Sequence, residues 1–122
     1  MKITNFSNLI LTPKADEIIA FFNDLGFERD HQKDYIEGGT VTSTVMKNPD
    51  GFMISISQAP VSQTMTVIRM NVDDFDKAFA YLSSKGFVNQ GGDQLVENES
   101  SKSALMTSPS GFAFSICQHY KK

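Results

Sequence analysis

The chain repeats itself at a fixed offset of 60 residues. Asn48-Pro49-Asp50-Gly51-Phe52-Met53-Ile54-Ser55-Ile56-Ser57-Gln58 returns as Ser108-Pro109-Ser110-Gly111-Phe112-Ala113-Phe114-Ser115-Ile116-Cys117-Gln118. Gly26-Phe27 matches Gly86-Phe87, Ala20 matches Ala80, and Asp16 matches Asp76, without a gap. A constant internal period means one supersecondary unit built twice. Two copies are too few for a solenoid. The expectation is therefore one pseudo-twofold domain over residues 1–122, made of repeats at about 1–60 and 61–122.

Each copy reads as a strand, a helix and three more strands. Phe6 to Thr12 is an apolar run that meets Pro13, as a strand meets a turn. Ile18, Ile19, Phe22 and Leu25 then share one helical face, and Gly26 closes the helix. Gly38-Gly39 marks a turn before Thr40 to Met46, a strand rich in β-branched residues. Asn48-Pro49-Asp50-Gly51 is a tight turn, since Pro fixes φ and Gly permits a positive one. Phe52 to Gln58 ends the copy. In the second copy Thr66 to Val72 alternates as a strand, and Asp73 or Asp74 caps a helix running to Lys85. Gly91-Gly92 lies in a loop, Glu97 to Lys102 forms a polar hairpin, and Ser103 to Thr107 and Phe112 to His119 close the chain. Ile18, Ile19, Phe22, Phe75, Phe79 and Leu82 are expected in the core.

Charge and cysteine content narrow the partners. A net charge of −3 and the lack of a basic stripe argue against nucleic acid. No apolar run is long enough to span a membrane or to serve as a signal peptide. Cys117 is the single cysteine, so no internal disulfide forms, and the expected location is the cytoplasm.

The doubled order of helix, Gly-Phe and Pro-x-Gly hairpin resembles the vicinal oxygen chelate superfamily, which includes glyoxalase I, the bleomycin-resistance proteins and the extradiol dioxygenases. The segment Val72-Asp73-Asp74-Phe75-Asp76-Lys77-Ala78 is also similar to the start of that family's second helix. The resemblance covers essentially the whole chain. It implies an α+β fold in which two βαβββ units form a cup-shaped mixed sheet with the helices outside. It implies too that enzymes of the family hold one divalent metal on the cup floor, commonly through His and Glu. The family's Glu lies four residues after the turn glycine, and Ser55 and Ser115 stand there instead. The first-strand ligand would fall near Ser7 or Asn8 in one copy and near Val67 in the other. Short members of the family often complete their cups as dimers, so a homodimer is expected.

Strand alternation tests the missing metal independently. In the last strands, Phe52, Ile54 and Ile56, and Phe112, Phe114 and Ile116, form the faces expected under the helices. Met53, Ser55 and Ser57, with Ala113, Ser115 and Cys117, form the opposite faces. These lack the carboxylates and imidazoles that a catalytic ion needs. The expected ligand-binding residues are Asn8, Met53, Ser55, Ser57, Val67, Arg69, Asn71, Ser115 and Cys117, with no metal site, no cofactor and no assigned catalytic residue. Arg69 would supply a fixed cation for a carboxylate or phosphate, or else reach Asp93, Glu97 or solvent. Cys117 and His119, two residues apart, could share a face without a third ligand.

Three functions follow from the resemblance taken together with these residues. The preferred one is a metal-free protein of the bleomycin-resistance type, holding a small organic molecule rather than catalysing a reaction. The second is a non-catalytic sensor or interaction module. The third is a metal-dependent lyase, isomerase or dioxygenase, which requires His31, His119 and acidic residues such as Glu37 or Glu97 to converge.

Overall fold

The computed structural model describes residues 1–30, 35–37, 40–89, 96–97 and 101–120. The Gly38-Gly39 turn, the Gly91-Gly92 loop, Asp93, His31 and residues 98–100 of the expected hairpin lie outside the described residues. The fold is α+β, and the chain divides into two compact units, Asn8–Thr66 and Met1–Ser7 with Val67–Lys122.

The Asn8–Thr66 unit takes the end of β1 (Ile3–Thr12), then α1 (Ala15–Asp24), β2 (Glu28–Arg29), β3 (Tyr35–Glu37), β4 (Thr40–Lys47) and β5 (Met53–Gln58). β5 runs parallel to β1 and antiparallel to β4. The expected second strand is broken: β2 and β3 are short, separate pieces that both pair with β4. The connection through α1 lets β1 and β5 lie parallel, which a tight hairpin cannot do.

The other unit takes β6 (Met65–Val72), α2 (Phe75–Ser84), β7 (Val88–Asn89), β8 (Val96–Glu97), β9 (Ser101–Thr107) and β10 (Ala113–His119). β10 is parallel to β6 and antiparallel to β9, while β7 and β8 pair with β9. The register itself repeats. Leu9 faces Ser55 as Arg69 faces Ser115, and Val45 faces Ser55 as Leu105 faces Ser115.

The helices end as their glycines require. Gly26 has φ 99° and Gly86 has φ 90°, a backbone that side chains with a Cβ rarely adopt. Asp74 caps α2, its carboxylate accepting from Lys77 N at 3.1 Å. Lys14, at the N-cap position before α1, makes no side-chain cap. Each helix is also tied to the last strand of its unit by a glutamine. Gln58 Oε1 accepts from Ala15 N at 2.9 Å, and Gln118 Oε1 accepts from Phe75 N at 2.8 Å.

Burial separates the two helices. Phe75, Ala78 and Leu82 of α2 are buried against Met70, Val72, Ala104, Met106 and Ile116. Full burial of Phe75 and of Leu82 contributes about 2–3 kcal/mol each. By contrast, α1 buries no residue fully, so Ile18, Ile19 and Phe22 do not form the enclosed core expected of them. Phe52 also departs from expectation, since it precedes β5 in the turn and is 68% exposed. Phe112 holds the matching place, half exposed, yet its ring meets Phe87 and Phe114 edge-on.

Candidate functional site

The site residues of the Val67–Lys122 unit come together. Register pairs Arg69 with Ser115 and Asn71 with Cys117, so all four lie on one side of β6 and β10. Val67 shares that side by alternation and is 2% exposed. The other side carries Met70, Val72 and Ile116, which pack in the α2 core. The polar face therefore looks away from α2.

This face is buried as well as polar. Arg69 is 9% exposed and Asn71 is 7% exposed, so solvent does not receive the guanidinium. Asn71 Oδ1 is buried and has no hydrogen-bond partner. Arg69 Nη1 is also buried without an acceptor, although the Arg69 side chain has other interactions. Leaving a buried acceptor unmade costs about 1–3 kcal/mol, so such an atom needs an explanation. Cys117 is half-buried, and its Sγ lies 3.6 Å from Nε2 of the exposed His119.

The Asn8–Thr66 unit offers an apolar counterpart. Ser55 and Ser57 are 5% and 8% exposed and pair with Leu9 and Leu11 of β1. Met53 shares their side by alternation and is 43% exposed at the strand end. Asn8 does not join them. It is exposed, and alternation puts it with Ile10 and Thr12, while Ser7 falls in line with Leu9.

Two open cavities lie away from these faces. One of about 690 Å³ runs beneath the first turn of α1, with Ile56 and Thr44 among its lining residues. Another of about 750 Å³ is lined by Lys2, Thr4, Val72, Asp73, Gln118, His119 and Tyr120. Neither is lined by an expected ligand-binding residue. The signal for the first was the mismatch of Ala15 with Phe75 within the repeat.

Residues 6–116 match the sequence profile of the glyoxalase/bleomycin resistance protein/dioxygenase superfamily. The chain belongs to this superfamily. Solved structures agree with the fold. A protein from Staphylococcus aureus is 12% identical with a TM-score of 0.65, over 98% of this chain and 100% of that one. A glyoxalase I mutant from Zea mays is 13% identical with a TM-score of 0.65, over 98% of this chain but 44% of that one. Methylmalonyl-CoA epimerase from Mycobacterium tuberculosis is 13% identical with a TM-score of 0.57, over 98% and 90%. No curated protein matches by sequence.

The metal held by enzymes of the superfamily does not fit the residues present. The resemblance puts the ligand positions near Ser7 or Asn8, at Ser55, near Val67 and at Ser115, and none of these residues supplies a strong donor for a divalent ion. Among the described residues, no group of three His, Cys, Asp or Glu side chains could hold a metal. Of the set required for a displaced site, His119 is exposed at the end of β10, and His31 is outside the described residues. No helix among the described residues is long and apolar enough to cross a membrane.

Proposed function

We propose that this superfamily member binds a small organic acid without a metal, on the face that carries Arg69, Asn71, Ser115 and Cys117. Asn71 Oδ1 carries the proposal, as a buried acceptor with no hydrogen-bond partner beside a buried guanidinium. A ligand with a carboxylate for Arg69 and an N–H or O–H for Asn71 suits this pair. The Ser115 hydroxyl adds a donor or acceptor next to Arg69. Ser55 and Ser115 support the metal-free part of the proposal, because a hydroxyl stands where a relative's carboxylate would.

A thermal-shift screen of small aromatic and aliphatic carboxylates tests this directly. Carboxylates should raise the melting temperature of the native chain, and Arg69→Gln should remove the effect. Chelator should leave the melting temperature unchanged. Zinc, nickel, manganese or iron near one per chain after purification would overturn the metal-free assignment.

A homodimer is a second, compatible proposal. Phe6 and Phe52, 57% and 68% exposed, are available to such a contact. Light scattering after size exclusion should give twice the chain mass.

A further inference from the structure

The two units share one frame and differ in what fills it. Phe75 opens α2 and is 1% exposed, its ring filling the space between that helix and its strands. The residue 60 positions earlier, opening α1, is Ala15. The glutamine tie and the floor register around the two are the same. Gln58 and Gln118 hold the Ala15 and Phe75 amides at 2.9 and 2.8 Å. The floor strands match in register, with Ile10 facing Ile56 as Met70 faces Ile116.

Where α2 has a ring, α1 has the 690 Å³ cleft, with Ala15, Ile19, Thr44 and Ile56 in its lining. That volume falls within the roughly 300–1,000 Å³ range of small-molecule sites. Bulk elsewhere on α1 does not fill it. Phe22 replaces Leu82, but its ring engages Phe21 and Phe27 at centroid distances of 5.5 and 5.4 Å. Thr44, 6% exposed, puts a hydroxyl on the floor where the other unit has Ala104. Lys14 and Arg29 at the cleft are matched by Asp16 and Glu17, which leaves no preference for a charged occupant. Ile56 and Thr44 alternate with Ser55 and Ser43, so the cleft is on the opposite side of the strands from Ser55 and Ser57.

We infer that this cleft is a second binding site, separate from the Arg69 face, for a small neutral single-ring aromatic molecule with a hydroxyl group. Its ring takes the position of the Phe75 ring in the other unit, and its hydroxyl meets Thr44.

Phenol is the probe, titrated into methyl-labelled protein and followed by NMR. The Ile19, Thr44 and Ile56 methyls should shift saturably. Ala15→Phe supplies the missing ring in a backbone position that already accepts Phe75 in the other copy. It should weaken phenol binding at least tenfold and raise the melting temperature. If that variant does not fold, Thr44→Leu fills the cleft from its floor and should weaken phenol binding by the same measure. No saturable shift at these methyls, or undiminished binding in the filled variant, overturns the proposal. Shifts that depend on protein concentration and not on phenol assign the cleft to a second copy of the chain, and also overturn it.

Discussion

Replacing Phe75 with alanine should reproduce, beneath α2, the gap found beneath α1. The ring is 1% exposed and lies 5.8 Å, centroid to centroid, from Phe79. Lys102 Nζ stands 5.1 Å over its face. Removing about 150 Å² of apolar side chain at about 25 cal/mol/Å² costs about 4 kcal/mol. That figure sits inside the roughly 3–5 kcal/mol seen for Phe→Ala in cores, where incomplete collapse around the gap adds to the transfer term. An unfolding entropy of about 2.1 cal/mol/K per residue over 122 residues gives about 0.26 kcal/mol/K, so the melting temperature should fall by about 15 °C. Urea unfolding at 25 °C followed by circular dichroism measures the loss, provided the denaturant slope matches that of the native chain. A loss below about 2 kcal/mol would refute the reasoning. The ring would then not be what keeps α2 seated, and Ala15 would not explain why α1 buries no residue.

Four further substitutions test the frame. Gly86→Ala should cost about 2 kcal/mol or more in urea unfolding, because its Cβ would lie 2.9 Å from Pro109 Cγ at a φ of +90°. Gly26→Ala has nothing within 4 Å of its Cβ and should cost only about 1 kcal/mol at a similar φ. Gln118→Ala removes the acceptor for Phe75 N and should lower stability by about 1 kcal/mol. Asp76→Asn breaks the 2.9 Å pair with Lys102, but Asp76 is 82% exposed, so the melting temperature should barely change.

The repeat made the frame legible because offset and register are one property. Once Ser55 and Ser115 were matched, the pairing partners of both strands followed at the same spacing. Less legible was anything that depends on what a face meets. Ile18, Ile19 and Phe22 carry the period of a buried helix, but periodicity does not report that Ala15 leaves the space beneath α1 unfilled. Alternation extended one residue before β5 puts Phe52 under the helix, but that residue lies in a turn where the rule no longer applies. The same one-residue sensitivity put Asn8 where Ser7 belongs. Gln58 and Gln118 stood in the repeat from the start, yet alternation assigns a face and not a hydrogen-bond partner. Their tie to the helix openings is set by how the fold brings Gln58 to Ala15 and Gln118 to Phe75.

The two copies exchange polar and apolar character on opposite sides of their strands. On one side, Arg69 and Asn71 stand where the other copy has Leu9 and Leu11. On the other side, Ala15 and Thr44 stand where the other copy has Phe75 and Ala104. A duplicated frame needs neither difference in order to fold, because each copy shows that the apolar version is tolerated. That makes Asn71→Leu, which copies Leu11 into the matching position, a test of purpose. It removes a buried acceptor that has no hydrogen-bond partner, so stability should rise by about 1 kcal/mol in urea unfolding, while the thermal shift given by carboxylates should vanish. A loss of stability of 1 kcal/mol or more would mean that the Asn71 amide serves the fold, and the Arg69 face would lose its claim to a ligand. Higher stability with undiminished carboxylate binding would move the ligand off Asn71. Only a gain in stability joined to a loss of binding is expected if the polar pair is kept for a ligand at a cost to the fold.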